Sequence, residues 1–214
     1  MKISAVIFDL DGVIVSTDEY HYQAWKQISD KEGIYFNREI NERLRGVSRM
    51  ESLEIILSHS DKNYGDNEKL DLAERKNVIY RELLNNLSPN DILPGVINLL
   101  LALKARDIKV AIGSSSKNTP FILEKIGLAP NFDAVANGND IKNSKPDPEV
   151  FLLAAERLGV EPENCIVVED AEAGVDAAIA AGMKVVAVGA ASNSLKAHIR
   201  LQDLTSINIA ELLD

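Results

Sequence analysis

The stretch Ala-Val-Ile-Phe-Asp-Leu-Asp-Gly at residues 5–12 decides the fold class of this chain. Its four apolar residues near the N-terminus are typical of a buried strand. Asp9 and Asp11 follow two residues apart, so both carboxylates leave the strand end on the same side, and like charges that close need a shared cation or proton. Because ligands bind outside the carboxyl ends of strands in open α/β sheets, the pair predicts a Mg²⁺ site, a nucleophile with an acid/base partner, or both. A solvated Asp-rich turn is the alternative.

The composition indicates an acidic globular protein. The formal net charge of −10 over 214 residues argues against nucleic-acid binding, which depends on cationic contacts to phosphates. No apolar run of about 18 residues occurs, and acidic residues follow the first apolar stretch, so we expect neither a membrane span nor a signal peptide. The single cysteine, Cys165, has apolar flanks and is interpreted as a buried thiol. We therefore expect a cytoplasmic, monomeric enzyme with a small-molecule substrate.

Strand and helix patterns alternate through the second half of the chain. We predict a first strand at residues 4–8 and further strands at 109–112, 134–136, 165–168 and 184–188. We predict the intervening helices at residues 95–103, 118–126, 148–158 and 171–181. This alternation is the signature of a doubly wound parallel sheet, an α/β core of Rossmann-like type.

A long helical segment interrupts that pattern between the first two strands. A parallel crossover needs only about a dozen residues, but here the segment from about residue 15 to about residue 87 is predicted to form helices with no strand among them. We therefore predict a core domain at residues 1–15 and 88–214 and a helical cap at residues 16–87, with hinges at 15–17 and 87–94. Placed directly after the Asp pair, such a cap can close over it and exclude water.

Three other predicted strand ends also carry polar side chains. Ser114, Ser115, Ser116, Lys117 and Asn118 follow the second strand, where hydroxyls and free backbone N–H groups before a helix form an anion site; a plain Ser N-cap is the alternative. Lys145 lies in the stiff Ser-Lys-Pro-Asp-Pro loop at residues 144–148, either as a fixed cation of the site or as a solvated lysine. Glu169 and Asp170 form a second acidic pair after the fourth strand, and carboxylates suit Mg²⁺.

The cap contributes candidates of its own. Lys76 falls inside an apolar helical stripe, where it must reach water or bind an anion. Ser48 is the expected N-cap of a helix that begins with Arg49, and Arg49 either binds a phosphate or is simply exposed. His21 and Trp25 lie one helical turn apart near the first hinge, as a packed helix face or as a lip over the site.

Asp9, Asp11, Ser114, Lys145, Glu169 and Asp170, in this order and at these strand ends, resemble the four motifs of the haloacid dehalogenase superfamily. Residues of the helical insert and of the Ser-rich loop make the resemblance more specific, to one group within that superfamily. His21 and Trp25, the Gly-Val-Ser-Arg loop at residues 46–49, the Arg-Lys-Asn run at residues 75–77 and the Ser-rich loop at 114–118 resemble the β-phosphoglucomutases within that superfamily.

The resemblance implies a role for each residue. Asp9 becomes the nucleophile that forms an aspartyl phosphate, and Asp11 becomes the general acid/base. Mg²⁺ is held by Asp9, by the backbone carbonyl of Asp11, by Asp170 and by Glu169, directly or through water. Ser114 and Lys145 hold the transferring phosphate. The remaining substrate contacts come from His21, Trp25, Gly46, Val47, Ser48, Arg49, Met50, Glu51, Lys76, Ser115, Ser116, Lys117 and Asn118, of which Arg49 and residues 116–118 hold the distal phosphate.

The implied reaction converts β-glucose 1-phosphate through a glucose bisphosphate to glucose 6-phosphate. A Mg²⁺-dependent sugar-phosphate phosphatase of the same superfamily would share every core motif. It would not need the second phosphate site formed by Arg49, Lys76 and residues 116–118. A signalling receiver domain would lack the long helical insert, and a catalytically silent binding protein is disfavoured because no motif position is lost.

Overall fold

The computed structural model describes residues 2–213 and contains one six-stranded sheet. The strands are β1 (Ala5–Phe8), β2 (Lys109–Gly113), β3 (Ala134–Ala136), β4 (Cys165–Glu169), β5 (Lys184–Ala187) and β6 (Ile199–Arg200). Their order is β3-β2-β1-β4-β5-β6, and every neighbouring pair is parallel. The predicted doubly wound, Rossmann-like α/β core is therefore confirmed.

Nine α-helices accompany the sheet in the described part of the chain. Four precede β2 as an insert: α1 (Asp18–Glu32), α2 (Arg38–Glu42), α3 (Arg49–Leu57) and α4 (Asp66–Leu84). Five belong to the sheet: α5 (Val96–Lys104), α6 (Thr119–Lys125), α7 (Glu149–Leu158), α8 (Glu172–Ala180) and α9 (Ile209–Leu213). Within residues 2–213, no helix is long and apolar enough to cross a bilayer.

The two faces of the sheet are buried in separate apolar clusters. Val6 and Phe8 of β1 pack into the cluster that includes Leu99 of α5, whereas Ala5 and Ile7 pack into the cluster that includes Phe151 of α7. Successive side chains of a strand point to opposite faces, so a strand covered by helices on both sides is apolar throughout. This is why residues 5–8 contain no polar residue before the chain reaches Asp9.

The insert has an apolar cluster of its own, which includes Trp25 of α1, Leu53 of α3 and Leu72 of α4. Tyr80 and Leu84, near the end of α4, instead pack into the sheet's cluster. Ala24 of α1 packs there as well, so the helical insert is folded around its own core and attached to the sheet through α1 and the C-terminal half of α4.

Register brings the functional strand ends to one edge of the sheet. Phe8 of β1 pairs with Ile112 of β2 on one side and with Val168 of β4 on the other. The residues that follow these three positions therefore emerge side by side, which places Asp9 beside Glu169. The backbone N–H of Asp9 also donates to the carbonyl of Val168 at 2.9 Å.

The structure adds one strand to the five that we predicted. β6 has only two residues, Ile199 and Arg200, and pairs with Val186 and Ala187 at the edge of the sheet. Two residues are too few for an alternating pattern, so no sequence signal distinguishes this strand from a loop.

Candidate active site

Three carboxylates meet at the carboxyl edge of the sheet. Ligand atoms from Asp9, Glu169 and Asp170 all lie within 4.8 Å of one another, and all three residues are buried. Oxygen donors of this kind suit a hard cation such as Mg²⁺. Asp9 and Asp170 can supply carboxylate oxygens, and the backbone carbonyl of Asp11 lies in the same loop.

Both carboxylate oxygens of Glu169 already accept hydrogen bonds within the protein. Oε1 of Glu169 accepts the backbone N–H groups of Asp170 and Ala171, both at 3.0 Å, and Oε2 accepts from Lys145 Nζ at 2.8 Å. With both oxygens engaged, Glu169 fits contact to the cation through water better than direct contact.

Lys145 brings a positive charge into contact with the cluster. Its residue is 1% exposed, and its ammonium donates to Asp9 Oδ1 as well as to Glu169. Burial alone would lower the pKa of Lys145, but the carboxylates of Asp9 and Glu169 raise it above the ordinary lysine value. Of the two interpretations that the sequence left open, the solvated loop lysine is wrong, because the side chain is buried against Asp9 and Glu169.

Even with that lysine, the carboxylates exceed the local positive charge. Burial, and then the neighbouring carboxylates of Glu169, Asp9 and Asp11, raise the pKa of Asp170 to about 9. Burial also raises the pKa of Glu169 to about 7. Carboxyl groups that keep their protons because too little positive charge lies nearby can release those protons when a divalent cation binds.

Gly12 permits the close approach of the two acidic loops. Its φ is +82°, and a Cβ at this position would lie 2.0 Å from Asp170 Oδ2. Any side chain here would both strain the backbone and displace the Asp170 carboxylate.

Asp11 is held away from this cluster by Thr17, the residue that precedes α1. Oδ1 accepts the backbone N–H of Thr17 at 2.7 Å, and Oδ2 accepts the Thr17 hydroxyl, which lies 2.8 Å from the hydroxyl of Tyr80 on α4. Burial, and then the charge of Asp18, raise the pKa of Asp11 to about 7, although the bonds from Thr17 oppose that shift. A carboxyl group with a pKa near neutrality suits proton transfer at physiological pH.

Lys76 points into the cleft from α4, buried between aromatic rings. Its Nζ lies 2.7 Å from His21 Nδ1, 4.3 Å from the ring centre of Tyr80 and 5.0 Å from that of Trp25. His21 Nε2 in turn lies 3.5 Å from Asp11 Oδ2. Burial, followed by the charges of Lys76 and Arg49, lowers the pKa of His21, so the ring is neutral. Lys76 therefore does not reach solvent along the helix surface.

Arg49 and Asn118 approach each other across the cleft, from the insert and the core respectively. Arg49 Nη2 donates to Asn77 Oδ1 at 2.9 Å, and Asn118 Nδ2 donates to the same oxygen at 3.0 Å. In the loop before α6, Ser114 Oγ accepts the N–H of Ser116, and Ser116 Oγ accepts the N–H of Asn118, each at 3.2 Å. These bonds fold residues 114–118 into a compact turn at the edge of the sheet.

One cavity of about 1040 Å³ joins these groups. Every candidate residue from the sequence except Glu169 lines it, and Glu169 is hydrogen-bonded to the lining residue Lys145.

Two lining residues of the insert, Ser48 and Glu51, form the N-terminal cap of α3. Ser48 caps α3 as predicted: its hydroxyl accepts the N–H of Glu51 at 3.2 Å, and the Glu51 carboxylate accepts the N–H of Ser48 at 2.8 Å.

Sequence reasoning missed Arg45, which lies between the insert and the core. Its guanidinium binds Asp18 and Glu42, and its Nη1 lies 3.5 Å from Asp170 Oδ2. Sequence reasoning also missed Tyr80, whose hydroxyl lies 2.8 Å from that of Thr17. A charged residue in a polar loop and a tyrosine on an apolar face carry no sequence signal that separates these roles from ordinary packing.

Comparison with known proteins places this arrangement in a family. The sequence profile of the haloacid dehalogenase-like hydrolases matches residues 3–182. The chain belongs to the haloacid dehalogenase-like hydrolase family. The family resemblance drawn from the motifs is thereby confirmed.

Within the haloacid dehalogenase-like hydrolases, a β-phosphoglucomutase of Bacillus subtilis (strain 168) is 44% identical over 213 residues, which cover 99% of this chain and 94% of that protein. A phosphorylated carbohydrates phosphatase of Thermotoga maritima is 34% identical and covers 85% of this chain and 83% of its own length. The crystal structure of a β-phosphoglucomutase from Clostridium difficile matches with a TM-score of 0.93 at 43% identity, over 98% of this chain and 95% of that one.

Proposed function

We propose that this chain is a Mg²⁺-dependent β-phosphoglucomutase, an isomerase that interconverts β-D-glucose 1-phosphate and glucose 6-phosphate. The aspartyl phosphate of Asp9 and glucose 1,6-bisphosphate are its intermediates. The likeness to the Bacillus subtilis and Clostridium difficile β-phosphoglucomutases over nearly the full length supports the assignment.

The observation that carries the proposal is a second cationic group in the cavity that contains the nucleophile. Asp9, Ser114 and Lys145 line one part of it, and Arg49, Lys117 and Asn118 also line it. A phosphatase acting on a monophosphate needs only the first set, because the rest of its substrate is uncharged. A bisphosphate that must bind in two orientations needs an anion site at each end.

The residues support an in-line transfer in two halves. In the first half, Asp11 accepts the proton of the 6-hydroxyl of β-glucose 1-phosphate and that oxygen attacks the phosphorus of the aspartyl phosphate. The bond from that phosphorus to the Asp9 oxygen breaks, which releases the Asp9 carboxylate and gives glucose 1,6-bisphosphate. After the bisphosphate exchanges its two ends, a carboxylate oxygen of Asp9 attacks the phosphorus on the sugar 1-oxygen. The bond from that phosphorus to the 1-oxygen breaks while Asp11 donates a proton to that oxygen, which gives glucose 6-phosphate and restores the aspartyl phosphate. Phosphoryl transfer depends mainly on such positioning and charge neutralisation.

Mg²⁺ fits the carboxylate cluster, where Asp9, the backbone carbonyl of Asp11 and Asp170 would hold it and Glu169 would contact it through water. When bound, it would offset the repulsion between the Asp9 carboxylate and an anionic phosphate. Lys145 contributes to the same neutralisation through its contact with Asp9 Oδ1.

We further infer that residues 16–87 act as a cap domain that excludes water from the aspartyl phosphate, with the core at residues 1–15 and 88–214. The separate apolar cluster of the insert and the Arg45–Asp170 contact across the cleft support this division. Exclusion of water is what would separate a mutase from a phosphatase built on the same core.

Phosphorus NMR tests the proposal directly. The protein is incubated with Mg²⁺, β-glucose 1-phosphate and a trace of glucose 1,6-bisphosphate. We expect glucose 6-phosphate to accumulate much faster than inorganic phosphate. Steady release of phosphate without isomer would contradict the mutase and support a sugar-phosphate phosphatase, the activity named for the Thermotoga maritima relative.

A further inference from the structure

Asn77, one residue beyond Lys76 on α4, connects the two donors of the distal anion site. Its Oδ1 accepts from Arg49 Nη2 at 2.9 Å and from Asn118 Nδ2 at 3.0 Å. Arg49 and Asn77 belong to the insert, whereas Asn118 belongs to the core. A single carbonyl oxygen thus holds a guanidinium and an amide together across the cleft.

The chemistry of these groups determines their orientation. A guanidinium carries only donors, so Arg49 requires that Asn77 present its carbonyl oxygen rather than its NH₂. That oxygen in turn requires that Asn118 present its NH₂ group. One N–H of this group is used by Asn77, and the second remains available to a phosphate oxygen.

The side chain of Asn118 does not cap the helix that it begins. It occupies the N-cap position of α6, where an Asn side chain normally accepts a backbone N–H of the first turn, but it makes no such capping bond. Its backbone N–H is instead bound by Ser116 Oγ. The side chain, only 7% exposed as a residue, is therefore oriented by Asn77 and not by the helix that it begins.

We infer that Asn77 is a positioning residue: through its carbonyl oxygen it orients Arg49 and Asn118 as donors and so makes the distal site selective for an anion. The inference rests on the proposed function for the identity of that anion, a sugar phosphate. Without Asn77, the Asn118 side chain is free to rotate and to present its carbonyl oxygen to the phosphate, and two oxygens that both carry negative charge repel each other. Arg49 also loses the acceptor that fixes its guanidinium.

The test compares two phosphoryl donors in the Asn77→Ala protein. With glucose 1,6-bisphosphate and Mg²⁺, we expect KM to rise about tenfold with kcat within about twofold of wild type, because ground-state binding of one phosphate is weakened. Acetyl phosphate carries no distal phosphate, so phosphorylation of Asp9 from it should be unchanged. Alanine is the better helix former at this half-buried position, so the thermal midpoint should not fall on that account. The neighbouring exposed Val78→Ala is the matched control, expected to match wild type with both donors.

A double-mutant cycle separates positioning from mere structure. If Asn77 acts through Asn118, Asn77→Ala should raise KM much less in an Asn118→Ala background than in wild type. Equal effects in both backgrounds, equal slowing with acetyl phosphate, or an unchanged KM would each overturn the inference. If the wild-type protein released phosphate without isomerising the sugar, the proposed function would fail. The KM comparison on bisphosphate hydrolysis would still decide the role of Asn77.

Discussion

Lys76 Nζ lies 2.7 Å from His21 Nδ1, although the lysine is only 2% exposed and two aromatic rings enclose it. Burial, and then the nearby charge of Arg49, lower the pKa of Lys76 well below the ordinary lysine value, while Asp11 opposes that shift. A buried cation without a carboxylate in contact is costly to the folded state. This cost is reasonable for a residue that serves the ligand rather than the fold.

The first prediction follows from that relationship. Lys76→Met should lower turnover of β-glucose 1-phosphate by about 10²-fold, because His21 and the substrate lose their orienting group. The thermal midpoint should stay the same or rise. Lys69→Met is the matched control, since Lys69 lies on the same helix as Lys76 and pairs with Glu54 of α3.

The effect of Lys76→Met on stability should depend on pH. The unfolded chain keeps the Lys76 proton up to about pH 10.4, whereas the folded protein releases it at lower pH, so stability of the wild type rises with pH through this interval. Any stability advantage of Lys76→Met should therefore shrink as the pH approaches 10 in thermal melts. A large stability loss with normal turnover would identify Lys76 as a structural residue.

The second prediction concerns Asp170 in metal-free protein. Its pKa is about 9 in the folded state against an ordinary value of 3.8, so the folded protein binds more protons than the unfolded chain between these limits. Stability should therefore fall as pH rises through this window. Asp170→Asn removes the titration, and at pH 8 in chelator its thermal midpoint should exceed that of wild type, with the difference vanishing near pH 4.

Added Mg²⁺ should reverse the order of the two thermal midpoints, so that wild type exceeds Asp170→Asn. Binding raises the midpoint of the wild type by mass action but should do little for Asp170→Asn. The half-buried Asp176→Asn on α8, which loses only a pair with Lys196, is the control and should respond to Mg²⁺ like wild type. Full activity in excess chelator, or an equal Mg²⁺ response in both proteins, would show that Asp170 is not a ligand.

The third prediction separates the two acids of the opening motif. Asp9→Asn should abolish the phosphoenzyme with every donor, as read by mass spectrometry of the intact protein. Asp11→Asn keeps the backbone carbonyl, so Mg²⁺ affinity should change little. Transfer to or from the sugar hydroxyl should fall by about 10²–10⁴-fold, the usual range for a positioned acid/base.

Acetyl phosphate distinguishes the roles further, because its leaving group needs little protonation. It should phosphorylate Asp9 in the Asp11→Asn protein far better than glucose 1,6-bisphosphate does. If both donors were slowed equally, or if Mg²⁺ binding collapsed in calorimetry, the acid/base assignment of Asp11 would be wrong.

The fourth prediction tests the packing behind the Ser-rich loop. A Cβ on Gly138 would lie 2.2 Å from the carbonyl oxygen of Ser115 and 3.0 Å from the backbone N of Lys117. Gly138→Ala should therefore displace that loop, costing about 1–3 kcal/mol of stability, as overpacking usually does, and raising KM for sugar phosphates.

Gly159→Ala supplies the contrast. Gly159 ends α7 with φ +64°, and nothing lies within 4 Å of a Cβ there. Its substitution should lower the thermal midpoint while leaving KM unchanged. A normal KM in Gly138→Ala would show that the loop at residues 114–118 tolerates the displacement.

The sequence by itself determined the sheet and its functional edge. Strands buried on both faces must be apolar throughout, so residues 5–8 and 165–168 were recognisable without any partner. Because parallel strands end at one edge, Asp9, Ser114 and Asp170 could be assigned to one site before their distances were known. The length of the helical segment likewise required an insert, since a crossover helix is far shorter.

Only the tertiary structure decided which polar groups are partners. Arg45 and Asn77 belong to the insert, yet they contact Asp170 and Asn118 of the core, more than 40 residues away in sequence. Local periodicity reports which face of a helix is apolar, but it does not report which charged or amide group from a distant segment will complete a polar contact. Lys145 shows the same limit: its loop is typical of solvated segments, and its burial depends on the carboxylates of Asp9, just after β1, and of Glu169, at the end of β4. Hydrogen-bond geometry acts over about 3 Å, and such distances between segments arise only when the sheet and the insert are both folded.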